Sequence, residues 1–180
     1  MLFRRIMVAV GAAALVATPG AAQAAPGQVS ADQGTFAAAP SASDAAFLRA
    51  ANEVNLAGIA HGRIAFTKTR NAEVKEIAGR FMVDHIRLNA EITEAARKLK
   101  VRLDFVPAAD QRALSDRYEA ASASAFDALY LSTQLELQRE AQRIADAQAA
   151  GGDDAALKRV AADAAPILAE HQKMLREATN

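Results

Sequence analysis

The chain has 180 residues, a length that allows one ordinary domain. Its residues are 52% hydrophobic but only 5% aromatic, with no cysteine, so the composition favours helices and excludes a fold held by disulfides. The 21 basic and 21 acidic side chains give no net charge, which excludes the electrostatic character of a nucleic-acid-binding protein.

The N-terminus has the three parts of a secretory signal peptide. Arg4 and Arg5 supply positive charge, residues 6–16 form an apolar stretch, and the Ala-Gln-Ala sequence of residues 22–24 resembles a cleavage site. The apolar stretch is shorter than the roughly 20 residues that span a bilayer. We therefore expect a cleaved signal peptide over residues 1–24 and a periplasmic or secreted protein without a stable transmembrane span. An uncleaved N-terminal anchor is the alternative.

The next segment and the first two helices are predicted from composition and capping residues. Residues 25–43 are rich in Ala, Pro, Gly, Ser and Gln, so they are expected to form a flexible leader to a domain over residues 44–180. Asp44 is expected to cap a first helix, which runs to a turn just before Asn71. Asn71 is a good N-cap for a second helix that continues to about Lys100.

The second half of the chain predicts three more helices. A short helix is expected over about residues 108–121. Ser124 is expected to cap a long helix that ends at the glycine pair 151–152, and Asp153 to cap the last helix, which Pro166 should kink. Short connectors between long amphipathic helices favour antiparallel neighbours. The predicted fold is therefore all-α, an antiparallel up-down four-helix bundle with one additional short helix.

Histidines are the only residues that suggest site chemistry. His85 and His171 lie on apolar seams, whereas His61 has no obvious companion and is expected at the surface or its boundary. A buried imidazole needs hydrogen-bond partners or a metal, and Glu53 in the first helix is a candidate third ligand because bundle cores build metal sites from inward His and Glu. Asp84, beside His85, is expected to be a solvated flank, with a supporting place beside the histidine as the alternative. A core histidine bonded to a neighbouring helix is the competing interpretation.

Four elements of the chain carry a resemblance to a known family. They are Glu53-Val54-Asn55-Leu56, the run from Val74-Lys75 to Met82-Val83-Asp84-His85, Phe126-Asp127-Ala128-Leu129-Tyr130 and Pro166-Ile167-Leu168-Ala169-Glu170-His171. These elements resemble the DUF4142 family of exported bacterial proteins over residues 47–175. The resemblance implies export and a ferritin-like four-helix fold, and it implies no established activity.

The sequence departs from the pattern of a di-iron ferritin-like site. Similar members of the family often carry a histidine eight residues after Tyr130, where this chain has Gln138, a much poorer metal ligand. A di-iron site also needs Glu-x-x-His on two helices, and the residues three before the histidines are Gly58, Met82 and Leu168. Ferroxidase chemistry is therefore not supported, and no other catalytic motif is present in the sequence.

Two classes of function stay open. The first is a non-enzymatic envelope or stress-related binding protein, whose partner the sequence does not identify. The second is a metal-binding protein that holds a divalent metal ion in a reduced site. The residues of that site would be the ligands Glu53, His85 and His171, supported by Tyr130, Gln138 and Asn89. In both classes His85 and His171 are expected to face one another across the bundle interior.

Overall fold

The computed structural model describes residues 39–179, which form an all-α helical bundle. The expected signal peptide and most of the expected leader lie outside the described residues. The five helices in the described part are α1 (Ala42–Lys68), α2 (Ala72–Lys98), α3 (Ala109–Ala120), α4 (Ala123–Gly151) and α5 (Ala155–Glu177). The prediction of four long helices and one short one is confirmed. Within residues 39–179, no helix is both long enough and apolar enough to cross a membrane.

The first two helix starts show how capping residues work here. Asn71 caps α2 as predicted, because its side chain accepts hydrogen bonds from two backbone N–H groups of the first turn. The prediction that Asp44 caps α1 is wrong. Ser41 is the cap and its hydroxyl accepts from the N–H of Asp44, so α1 begins three residues earlier and includes the end of the expected leader.

Asp44 instead links the start of α1 to the connector between α4 and α5. Its side chain is 1% exposed and accepts hydrogen bonds from Gln148 and from the backbone N–H groups of Asp153 and Asp154. Burial alone would raise the pKa of Asp44, but these bonds and that of Ser41 lower it. A charged Asp44 therefore holds the connector between α4 and α5 against the start of α1.

The caps of α4 and α5 also differ from the prediction by one or two residues. Ser122 precedes α4 in place of Ser124, and Asp154 precedes α5 in place of Asp153. Both segments carry two neighbouring residues of the same capping type, so the local pattern did not separate them. Pro166 lies inside one continuous helix α5, and the kink stays a prediction.

The long helices form two antiparallel hairpins. Helices α1 and α2 pack together, as do α4 and α5, and the hairpins meet because α1 packs against α4 and α2 against α5. Contacts at both ends fix the direction of α4 beside α1. Gln148 near the end of α4 bonds to Asp44, and Asp127 near its start accepts from Thr69. Neighbouring long helices are thus antiparallel, as expected.

The connection from α2 to α4 crosses the length of the bundle beside α1. Three hydrogen bonds to its backbone carbonyl groups mark this path: Asn52 to Asp104, His61 to Gln111 and Lys68 to Glu119. Helix α3 lies within this crossover and packs against α1 and α4. The order of directions along the chain is therefore up, down, down, up, with a single crossover. The predicted alternating up-down order is wrong, because the connection from α2 to α4 runs the length of the bundle.

Apolar clusters fill both ends of the bundle. The larger cluster contains Phe81, Tyr118, Phe126 and Tyr130, and the one at the other end is formed by smaller side chains around Phe47. Between these clusters lies a small third cluster of Ala141, Ala145 and Leu168, and, at about half the height of the bundle, several buried side chains are polar. This level is where the candidate site lies.

Candidate functional site

A group of buried polar side chains crosses the bundle at half its height. We call this group the polar layer: Asn55 on α1, Asp84 and His85 on α2, Gln138 on α4 and His171 on α5. All of its members are buried, and the two histidines are at most 1% exposed. Because each long helix contributes at least one member, the layer depends on the register of all four.

Gly58 on α1 gives His85 its position. A Cβ atom on Gly58 would lie 2.2 Å from Cδ2 of the His85 ring. Glycine inside a helix costs about 1 kcal/mol relative to alanine, and here its missing side chain provides the space that the imidazole fills. The close approach of α1 to α2 is therefore what buries His85.

The polar layer is a continuous chain of hydrogen bonds. His85 places Nδ1 at 2.9 Å from Oδ1 of Asn55 and Nε2 at 3.1 Å from Nε2 of Gln138. The other amide atom of Gln138, Oε1, is 3.3 Å from Nδ1 of His171, whose Nε2 is 3.0 Å from Oδ2 of Asp84. Each ring nitrogen of the two histidines therefore has a protein partner.

Two proton arrangements satisfy this chain. With the atoms placed as above, His171 is protonated on both nitrogens, and His85 is neutral and donates to Asn55. Rotation of the side-chain amide groups of Gln138 and Asn55 by about 180° exchanges their oxygen and nitrogen atoms. This rotation reverses the direction of the hydrogen bonds from Asn55 to His171. Asn55 then donates to His85, His85 donates to Gln138, and Gln138 donates to a neutral His171. Proton uptake by His171 is thus coupled to the orientation of both amides.

Burial decides which charges the layer carries. It lowers the pKa of His85 to about 3, with His171 as the next cause, so His85 is neutral at physiological pH. Burial also lowers the pKa of His171 and outweighs the hydrogen bond to Asp84, which favours the arrangement with a neutral ring. For Asp84, burial acts to raise the pKa, but the hydrogen bonds of Arg80 and His171 prevail and lower it.

Aromatic packing holds the two histidines in place. The ring centroids of His85 and His171 are 5.5 Å apart, so the two side chains do face one another inside the bundle. Phe81 stacks on His171 with a centroid distance of 4.0 Å and meets His85 edge-on. The histidines therefore form the boundary between the polar layer and the larger apolar cluster.

A second buried polar group lies one helical turn away, around Gln134. Nε2 of Gln134 donates to Nδ1 of His61 at 3.2 Å and to the hydroxyl of Tyr118 at 3.0 Å. His61 also donates from Nε2 to the carbonyl of Gln111 at 3.0 Å, and burial lowers its pKa. The prediction that His61 lies at the surface or its boundary is wrong, because the crossover covers this side of α1.

The acidic residues of the site differ from those expected. Asp84 is not a solvated flank: it is 6% exposed, bonds to His171 and also accepts from Nε of Arg80 at 2.6 Å. Glu53 is exposed, whereas His85 and His171 are buried. Asp84, and not the predicted Glu53, is thus the acidic residue next to the two histidines.

The three supporting residues named from the sequence have different positions. Gln138 lies at the centre of the polar layer and bonds to both histidines. Tyr130 packs in the larger apolar cluster, 5.6 Å from Tyr118 between ring centroids, and its hydroxyl is buried without a partner in the described residues. Asn89 also has a buried side-chain oxygen that finds no partner there.

Sequence reasoning missed two amide side chains of the site, Asn55 and Gln134. Asn55 entered only as part of a family motif, and Gln134 was not considered. The signal that could have found Gln134 is its spacing of four residues from Gln138, which places both amides on one face of α4. Each of these amides bonds to a histidine of another helix.

The donor set does not match a metal site of the expected kind. Within residues 39–179, no group of three or more His, Cys, Asp or Glu side chains is arranged to hold a metal ion. The nitrogens of His85 and His171 already bond to protein groups. Binding of a divalent metal stays a prediction that these contacts do not support.

A cavity of about 290 Å³ lies beside the polar layer, between α1, α4 and the start of α3. The buried amides Gln134 and Gln138 are part of its lining. The remaining lining combines apolar side chains with Gln111 and the carboxylates of Glu53, Asp110 and Glu140. One side chain, Gln138, is therefore shared between the interior network and this cavity.

Comparison with known proteins identifies a family. No curated protein and no solved structure matches the chain. A family model described as "Domain of unknown function (DUF4142)" matches residues 29–178, a span that includes all five helices and the whole polar layer. The chain therefore belongs to the DUF4142 family.

Proposed function

We propose that this protein is an exported, non-enzymatic helical-bundle protein that binds a small molecule in the cavity between α1 and α4. The observation that carries the proposal is the position of Gln138, which lines this cavity and is fixed from the inside by His85 and His171. In this proposal the polar layer is a support that holds one wall of a binding site.

The hydrogen bonds of the layer favour a supporting role over catalysis. General acid or base catalysis needs a titratable group within reach of a substrate and with a pKa near the working pH. His85 is fully buried and its pKa is about 3. His171 and Asp84 bond to one another, and Arg80 occupies the outer side of Asp84.

The layer also specifies how the helices align. A shift of α5 by one helical turn, about 5.4 Å, would separate His171 from Asp84 and Gln138 and leave the buried imidazole without its two partners. An unpaired buried polar group costs about 1–3 kcal/mol. The layer therefore favours one register of α5 against α2, while apolar packing alone allows neighbouring registers.

We further propose that the bundle is ferritin-like and that the protein acts in the envelope, in a binding or stress-related role. The single crossover between two antiparallel hairpins is the connectivity of ferritin-like folds. The signal-peptide pattern at residues 1–24 supports export. In place of the carboxylate ligands of di-iron bundles, the level of the site contains amides, two histidines and one aspartate.

Elemental analysis and unfolding experiments separate this proposal from the metal-binding alternative. We expect the protein purified from the periplasm to contain no stoichiometric Fe, Zn, Cu or Mn. Its melting temperature should be the same with EDTA and with each added metal, since a ligand of the native state stabilises it by mass action. A bound metal that is lost from the His85→Ala and His171→Ala variants would overturn the proposal and establish a metal site.

A further inference from the structure

The cavity between α1 and α4 has a strong excess of negative charge. Its lining includes the carboxylates of Glu53, Asp110 and Glu140 and contains neither lysine nor arginine. Glu140 forms an ion pair with Arg143. Glu53 and Asp110 form no ion pair within residues 39–179. A ligand that enters here meets two carboxylates whose charge the described side chains do not compensate.

Two amide oxygens of the lining lack donors. Oε1 of Gln111 is buried and has no hydrogen-bond partner in the described part of the chain. Gln134 is 1% exposed, and its Nε2 is fixed by His61 and Tyr118. Its Oε1 makes no hydrogen bond to the described residues. Because a buried acceptor without a donor costs free energy, the oxygen of Gln111 favours a ligand that donates hydrogen bonds. The oxygen of Gln134 is a second acceptor in the lining for the same ligand.

The rest of the lining limits the size and shape of such a ligand. Its apolar side chains are Ala50, Val54, Ala57, Ala108, Leu137 and Ile144. The volume of about 290 Å³ is at the lower end for small-molecule sites. A bare metal ion fits poorly, since His, Cys, Asp and Glu side chains form no ligand set within residues 39–179. The lining matches a short hydrocarbon chain with a positively charged, donating end.

We propose that this cavity binds short aliphatic ammonium compounds, such as diamines of four or five carbon atoms. The ammonium group pairs with Glu53 and Asp110 and donates to the amide oxygens of Gln111 and Gln134. The methylene groups pack on the apolar side chains of α1 and α4. This inference rests on the proposed function, because it names the class of ligand for the same cavity.

Calorimetric titration of the mature protein with 1,4-diaminobutane and 1,5-diaminopentane tests the inference. Neutral 1,4-butanediol and anionic succinate serve as matched ligands without positive charge. We expect saturable binding of one diamine per chain at low ionic strength and no saturable binding of the diol or of succinate. Equal binding of diol and diamine, or absence of diamine binding, would overturn the inference.

Variants of the lining make the test specific. Glu53→Gln combined with Asp110→Asn should weaken diamine binding at least about 10-fold, as two charge-assisted contacts are lost. Gln111→Met removes an unpaired oxygen and should weaken binding without lowering the melting temperature. The control Glu91→Gln alters an exposed carboxylate on α2, outside the cavity lining, and should leave binding unchanged. Equal weakening by the control would overturn the site.

The outcomes also separate this inference from the proposed function. Saturable binding of succinate or of the diol, abolished by Gln138→Leu, would overturn the ammonium ligand and keep the cavity as a binding site. A stoichiometric metal at His85 and His171 would overturn the proposed function itself. Diamine binding that the lining variants weaken supports both.

Discussion

Nε2 of His171 lies 3.0 Å from Oδ2 of Asp84, and this contact joins the second helical hairpin to the first. Asp84 also accepts from Arg80 on its own helix, at 2.6 Å. One carboxylate oxygen therefore receives both a solvent-side guanidinium and a buried imidazole. Asp84 is the only acidic member of the polar layer. Its contact with His171 determines how the layer responds to mutation and to pH.

The first prediction concerns the charge of Asp84. Asp84→Asn keeps the shape of the side chain but removes the acceptor charge for His171 and Arg80, and we expect the free energy of unfolding to fall by about 1–3 kcal/mol. Urea denaturation at pH 7 measures the change. The control Glu170→Gln alters an exposed carboxylate on α5 and should stay within about 0.5 kcal/mol of the unchanged protein. Equal effects of the two variants would show that the contact contributes nothing.

The second prediction concerns the space beside Gly58. Gly58→Ala should destabilise the protein by about 1–3 kcal/mol despite the better helix propensity of alanine, because the new Cβ would overlap the His85 ring. Gly79→Ala on α2 is the matched control, since its Cβ would meet Phe66 at an ordinary 3.5 Å. We expect this control to be stabilised by about 0.5–1 kcal/mol. Thermal denaturation of both variants decides the matter, and a stable Gly58→Ala protein would contradict the packing of His85 described here.

The third prediction distinguishes a structural His85 from a metal ligand. His85→Ala removes a buried ring and leaves the amides of Asn55 and Gln138 without a partner, so we expect a loss of about 2–5 kcal/mol. The loss should be the same in EDTA and in added Zn²⁺, as measured by urea denaturation. A loss that appears only with metal present would identify a ligand.

The fourth prediction concerns acid. The pKa of His85 is about 3 in the folded protein against 6.5 without burial, and burial also lowers the pKa values of His61 and His171. Below pH 6.5 the unfolded chain therefore binds protons that the folded chain does not. The stability that depends on neutral histidines is complete above about pH 6.5 and decreases as the pH falls, by up to about 1.4 kcal/mol per pH unit for each histidine.

Urea unfolding between pH 7.5 and 5 measures this dependence. His85→Ala should reduce the slope by the contribution of one proton. An unchanged slope would mean that His85 is protonated in the folded protein. A further loss of stability is expected below about pH 4, because the pKa values of Asp44 and Asp84 are also lowered in the folded state.

The fifth prediction concerns export. Mass spectrometry of protein from its native host should give a mature N-terminus at or near Ala25, since the Ala-Gln-Ala sequence before it has the pattern of a cleavage site. The cytoplasmic precursor is the reference mass. Recovery of the intact chain with Met1 from the soluble envelope fraction would contradict the prediction.

The sequence was sufficient to predict the helices but not the path between the hairpins. The seams of α2 and α5 and the cap at Asn71 are local patterns, and local patterns set helix positions. The crossover follows α1 because Asn52, His61 and Lys68 bond to its backbone carbonyl groups. A backbone acceptor has no signature in the sequence, so neither this path nor the burial of His61 could be predicted.

The candidate site was predicted in part for a related reason. The seams place His85 and His171 inside the bundle, and their rings lie together there. Asp84 lies about 100° from His85 around α2, and its burial depends on where α5 packs. Glu53 shows the opposite error: it was expected in the bundle interior, but it is exposed and lines the cavity between α1 and α4.

The division of the polar layer between the hairpins has a consequence for folding order. Asn55 and His85 pair within the first hairpin, and Gln138 and His171 pair within the second. Each hairpin depends on local contacts and should form before the two associate. Association then adds the bonds from His85 to Gln138 and from His171 to Asp84. Hairpins that meet in a shifted register lack these two bonds and bury polar side chains without them. We expect such complexes to dissociate faster than the correctly aligned one, so the polar layer should select the native register in the last step of folding.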